Sequence, residues 1–155
     1  MAALSDFMEN KLIDWLLRAQ AIGITGASAA AGTGPSSLFV GLLTAAPGEG
    51  TAGTEVTGNG YARVAVTSSL TAWAGTQGAA STLASTGATG TTSNNAILTF
   101  PTPTLGWGAV VALGLYDAST VGNLLIYSTL TISKTINQGD SVTFPAASLT
   151  FQIDN

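Results

Sequence analysis

Apolar residues recur at helical spacing over the first 22 positions and at strand spacing from about position 38 onward. Leu4, Met8, Leu12, Trp15, Ala19 and Ile22 stand three or four apart, which puts them on one stripe of an α-helix predicted over residues 5 to 22. Ser5 is a suitable N-cap, Asp6 and Glu9 lie in the first turn where the helix dipole favours negative charge, and Arg18 lies toward the other end. Gly23 is the expected stop. Phe7, Ile13, Leu16 and Leu17 widen the stripe beyond half the circumference, so the helix needs partners on more than one side.

Residues 24 to 37, ITGASAAAGTGPSS, follow neither period and read as an extended connector. The helix can therefore pack away from the body of its own chain. The pattern then changes to strands: LFVGLL at 38 to 43, YARVAVT at 61 to 67, and later NAILTF, AVVALGLYD, NLLIYSTLTIS, SVTF and ASLTFQI. In the last of these Leu149, Phe151 and Ile153 face one way and Thr150 and Gln152 the other. A long loop is expected at PGEGTAGTEVTGNG, and a Gly/Thr-rich excursion at 74 to 95 with one weak strand near residues 81 to 84. About seven short strands divided by Gly- and Pro-rich turns predict a mainly β chain, an antiparallel β-sandwich with one N-terminal amphipathic α-helix. The expected division is a helix at 1 to 23, a linker at 24 to 37 and a β-sandwich domain at 38 to 155.

Charge adds a second contrast. Only 8% of the 155 residues are charged, against about 25% in an average soluble domain, and five of the charged positions, Asp6, Glu9, Lys11, Asp14 and Arg18, fall in the helix. A surface built from the remainder has little repulsion to keep copies apart, which suits a chain that works inside an assembly. The basic residues Lys11, Arg18, Arg63 and Lys134 are scattered, so no cluster exists to neutralise phosphates and no nucleic-acid partner is expected. No apolar run approaches the ~18 residues of a membrane span, so no membrane partner is expected either. The opening residues lack the basic first region of a signal peptide, which predicts synthesis in a cytoplasm.

The chain has no histidine and no cysteine. That removes the usual general base near neutral pH, the commonest transition-metal ligand, thiolate chemistry and disulfides. Carboxylates remain, and the candidates after the helix are Glu49, Glu55, Asp117, Asp140 and Asp154. Asp117 opens DASTVGN and Asp140 closes NQGD, where an Asp usually caps a turn. Glu49 and Glu55 lie in a Gly-rich loop and read as solubilising charges. No enzyme, no cofactor and no metal site is expected. Tyr61, Trp73 and Trp107 could stack on a sugar ring if they shared an exposed face, although their places beside strands suit core packing. Trp15 fits a contact with the chain's own sandwich and an intersubunit anchor equally well.

The segments FPTPTLGWG at 100 to 108, GLYDAS at 114 to 119, GNLLIYSTLT at 122 to 131 and the closing GDSVTFPAASLTFQIDN resemble a family of small virion structural proteins of tailed bacteriophages. Members are often labelled tail fibre proteins, and similar small β-sandwich proteins act as capsid cement or decoration proteins, commonly as homotrimers. The resemblance implies a virion component without catalytic residues. The leading expectation is a capsid cement protein that binds the head exterior as a homotrimer and clamps the major capsid protein, with Phe7, Met8, Leu12, Trp15 and Leu16 as the assembly interface. The alternative is a tail-associated fibre or adhesin protein meeting a host surface glycan, with Trp73 and Trp107 as receptor contacts.

Overall fold

The computed structural model describes residues 4–24, 32–48 and 50–153. The chain is mainly β, with antiparallel ladders and one helix near the N-terminus. The described residues fall into two compact units. One draws on Met1–Ser37, Thr67–Ile97 and Pro145–Asn155, and the other on Leu38–Val66 and Leu98–Phe144.

The first unit contains helix α1 (Asp6–Arg18), β4 (Thr91–Ser93) and β9 (Thr150–Gln152). Ser5 caps α1 as predicted, its side chain accepting from the Met8 amide, and Asp6 and Glu9 occupy the first turn. The helix ends a turn earlier than its apolar period suggests. Ala19 adopts a left-handed conformation (φ 54°) and the Gln20 amide returns to the Asp14 carbonyl, a closure that satisfies end carbonyls without needing Gly23. β4 pairs antiparallel with β9, Thr92 opposite Phe151. Leu149 and Phe151 are buried while Thr150 and Gln152 are exposed, the alternation expected of a half-buried strand.

The second unit contains β1 (Ser37–Ala45), β2 (Thr54–Glu55), β3 (Val64–Thr67), β5 (Leu98–Thr99), β6 (Gly108–Tyr116), β7 (Leu124–Ile136) and β8 (Thr143–Phe144), the end residues Ser37 and Thr67 belonging to the first unit. Five of these form one sheet in the order β2-β1-β6-β7, with β3 also on β1. β6 is central, and from Ala112 to Tyr116 it is wholly buried, as a strand covered on both faces must be. β5 and β8 form a separate antiparallel pair. Leu42, Val110 and Ile136 of the large sheet meet Val142 and Phe144 around one small cleft, so the pair lies against the sheet in a small sandwich. Phe100 closes it, stacked on Tyr61 and edge-on to Phe144.

Several sequence expectations change here. The loop at 47 to 60 contains β2, and YARVAVT is strand only from Val64. The excursion at 74 to 95 forms no strand near 81 to 84 and instead forms β4 at its end, where β9 offers an edge. The three-part division also differs from the observed one, because α1 groups with residues 67–97 and 145–155. Residues 25–31 of the expected linker lie outside the described residues. Its described end returns to the helix: Ala21 bridges Thr33, and a Cβ on Gly34 would fall 1.6 Å from the Trp15 carbonyl oxygen. Only glycine permits that approach.

Candidate functional site

Helix α1 buries Glu9, Asn10, Ile13, Asp14, Leu17 and Arg18. This is not the Leu4-to-Ile22 stripe, and most of it is polar. The reason lies in what it meets, a Gly/Thr-rich excursion rich in backbone groups that need partners. Arg18 is fully buried. It donates from Nε to the Trp73 carbonyl at 3.1 Å, from Nη1 to Asp14 at 2.6 Å and Ser85 at 3.1 Å, and from Nη2 to the Leu83 carbonyl at 2.6 Å. Asp14 accepts in turn from the Ser85 amide at 2.9 Å and hydroxyl at 2.6 Å. One turn earlier, Asn10 donates to the Gly87 carbonyl at 2.9 Å and accepts from the Thr76 hydroxyl, which itself accepts from the Gly87 amide. Asp14 and Arg18, with Asn10, thus attach the helix to its own chain.

The consequence appears on the other face. Phe7 is exposed, and Met8, Leu12, Trp15 and Leu16 are only partly covered. These are the five residues expected from sequence to form an assembly interface, and the fold places them on a helix whose other face is tied to its own unit.

The aromatic candidates are arranged differently. Trp73 is fully buried against Phe151, with ring centroids 5.6 Å apart. Trp107 is buried in the other unit, edge-on to Tyr61 at 5.3 Å, and its indole N–H donates to the Asn59 carbonyl at 3.0 Å. The expected sugar-facing role for Trp73 and Trp107 is corrected on this point: both rings are buried against other aromatic rings. Neither presents a face to solvent.

The described carboxylates after the helix are engaged structurally. Arg63 grips Glu55 with two parallel bonds of 2.8 and 2.7 Å, donates to the Ala118 and Val121 carbonyls at 2.7 and 2.8 Å, and stacks its guanidinium 3.5 Å from the Tyr116 ring centre. Tyr61 completes the cluster, donating to Glu55 at 2.7 Å and accepting from the Leu42 amide at 2.9 Å. Burial pushes the Tyr61 phenol well above its ordinary pKa, with Glu55 adding to the effect, and burial raises Tyr116 as well. The hydrogen bond to Glu55 raises Arg63 further. The reading of Glu55 as a solubilising charge is replaced by this pairing. Asp117 accepts from the side chain and backbone amides of Asn123, both at 2.7 Å, which hold its carboxyl below the usual range. Asp140 caps its turn from the Asn137 amide at 2.8 Å. Glu49 and Asp154 lie outside the described residues.

Among the described residues no group of three or more Asp or Glu could hold a metal ion, and no helix is long and apolar enough to cross a membrane. The Arg18 and Arg63 networks were not foreseen. The i,i+4 spacing of Asp14 and Arg18 was the available signal for the first, but their partners are backbone carbonyls, which carry no sequence signature.

The chain thus joins an antiparallel β fold and a polar-anchored helix to a composition with few charges. Residues 3–152 match the family described as podophage GP4 fiber I protein gp80, and the chain belongs to that family. No curated protein sequence matches it.

Proposed function

We propose that this protein is a non-catalytic, assembling subunit of a podophage fibre, docked through the outward face of α1. The observation that carries this reading is the two-sidedness of the helix. Its polar face is locked by Arg18, Asp14 and Asn10, while Phe7 and its partly covered neighbours remain available to another chain. The family's description as a fibre protein favours a fibre over the shell. In this reading the partners are copies of itself and a neighbouring virion protein, with no cofactor, nucleic acid or membrane. A host glycan would have to be met by the loops, since both candidate tryptophans are buried.

A second reading is the capsid cement protein, a homotrimer on the head exterior that clamps the major capsid protein. The absence of any sequence repeat that would build a shaft favours it. Gold-tagged antibody labelling of intact virions separates the two. Label on fibres supports the first reading; label spread over the heads replaces it with the second.

A further inference from the structure

β7 is interrupted near its start. Leu115 of β6 pairs with Ile126 and Tyr116 with Leu124, so Leu125 lies opposite no β6 residue. Adjacent residues of a regular strand point to opposite faces, but a bulge re-aims side chains. Here Leu124, Leu125 and Tyr127 all line one open cleft of about 490 Å³, within the ~300 to 1,000 Å³ usual for small-molecule sites. Gly122 and Asn123 line it too, together with the turn at Gly48 and Thr51, whose backbone groups bond each other at 2.9 and 3.1 Å.

The loop leading into β7 is held in an unfavourable conformation. Val121 has φ 57°, a left-handed backbone that a β-branched residue rarely adopts, and its side chain is 86% exposed, so burial does not offset the strain. The loop is held by Arg63, which donates to the Ala118 and Val121 carbonyls, and by Asp117, which accepts from Asn123. Strain fixed in this way gathers at ligand clamps. The Arg63 network therefore presets one side of the cleft.

We propose that this cleft is a binding site for a neutral saccharide. None of its described lining residues carries a charge, so it offers no partner to an acidic ligand. A sugar ring has both a C–H face and hydroxyls. Leu125 and Tyr127, each 39% exposed, give apolar surface to the first, while Thr51, Asn123 and the Tyr127 hydroxyl give hydrogen-bonding groups to the second. A purely apolar ligand would cover those polar groups without pairing them. An extended peptide would need a regular strand edge to add to, and the bulge at Leu125 removes it. The site belongs to the second unit and uses no residue of α1, so it stands or falls apart from the docking face proposed above.

The test is a printed array of neutral and acidic oligosaccharides probed with the intact chain. Neutral glycans should be retained, and a carboxylate or sulfate added to the same core should not strengthen retention. Titrating the best-retained neutral glycan into isotope-labelled protein should shift the NMR amide signals of residues 50 to 52 and 121 to 127. Tyr127→Ala should weaken binding by tenfold or more with the rest of the spectrum native, and Tyr127→Phe, which keeps the ring, by less. Ile132→Ala, exposed on the same strand but outside the cleft, should bind as the wild type does. The proposal is overturned if no neutral glycan is retained, if the shifts fall elsewhere, or if Tyr127→Ala folds and binds normally. A cleft that takes no glycan but is protected from hydrogen exchange in assembled particles belongs to a neighbouring subunit, which overturns it as well. Neither result bears on fibre against head, which the antibody labelling decides.

Discussion

Arg18 donates its Nε–H to the backbone carbonyl of Trp73 across 3.1 Å, joining the helix to a residue 55 positions later. Replacing Arg18 by Met leaves the Trp73 and Leu83 carbonyls and the Asp14 carboxylate without their cation. Breaking a buried pair in this way costs about 3 to 5 kcal/mol. Chemical denaturation should show that loss. Hydrogen exchange should show its location, with protection falling first at the Ser85 amide, which Asp14 accepts, and at the Gly87 amide, which Thr76 accepts. Deleting residues 1 to 22 should have the same local effect, because the helix is an element of its own unit.

The three tryptophans should separate cleanly in a quenching experiment. Trp73 and Trp107 are buried and Trp15 is partly covered, so acrylamide should reach Trp15 and scarcely touch the other two. Trp15→Phe should remove the quenchable fraction. In assembled particles the wild-type Trp15 signal should become protected; continued quenching there would oppose the docking role of α1.

Alkaline pH should destabilise the second unit through Tyr61. Burial favours the neutral phenol in the fold, so its folded pKa lies above the value near 10 of the unfolded chain. A raised pKa contributes stability that is intact below pH 10 and is lost as pH climbs from there toward the folded value. Denaturation midpoints should therefore fall above pH 10, and part of the tyrosinate absorbance should arrive only on unfolding. Tyr61→Phe should flatten that dependence.

Asp117 gives the opposite sign. Its carboxyl is held low by Asn123, so the bonds of this turn are intact above the ordinary carboxylate pKa near 4 and are lost as pH falls through the depressed folded value. Asn123→Ala should move the carboxyl titration, read by NMR, up toward that ordinary value.

Much of the fold was legible because it rests on local pattern. The period of residues 5 to 22 gave the helix and its N-cap, and β-branched and apolar runs gave β1, β6, β7 and β9. What could not be read depends on partners distant in sequence. β4 is strand only because β9, nearly 60 residues on, lies beside it. The inward face of α1 is polar because the groups it meets are backbone carbonyls and small hydroxyls, which the hydrophobic period of the helix does not report. Trp73 and Trp107 looked alike as solvent-facing or core rings; only burial distinguishes the two cases.

The chain passes between the two units four times, at about residues 37, 66, 97 and 144, and this has a consequence for the order of synthesis. β4 and the excursion held by Arg18 leave the ribosome long before β9, the strand that β4 pairs with. The first unit therefore waits, with Trp73 lacking its Phe151 neighbour, until residue 152 is made. A chain broken off after β8 could close its large sheet but never seat that ring. Emergence of β9 is thus a condition for closing the helix-bearing unit, which a copy lacking that strand would leave unsealed.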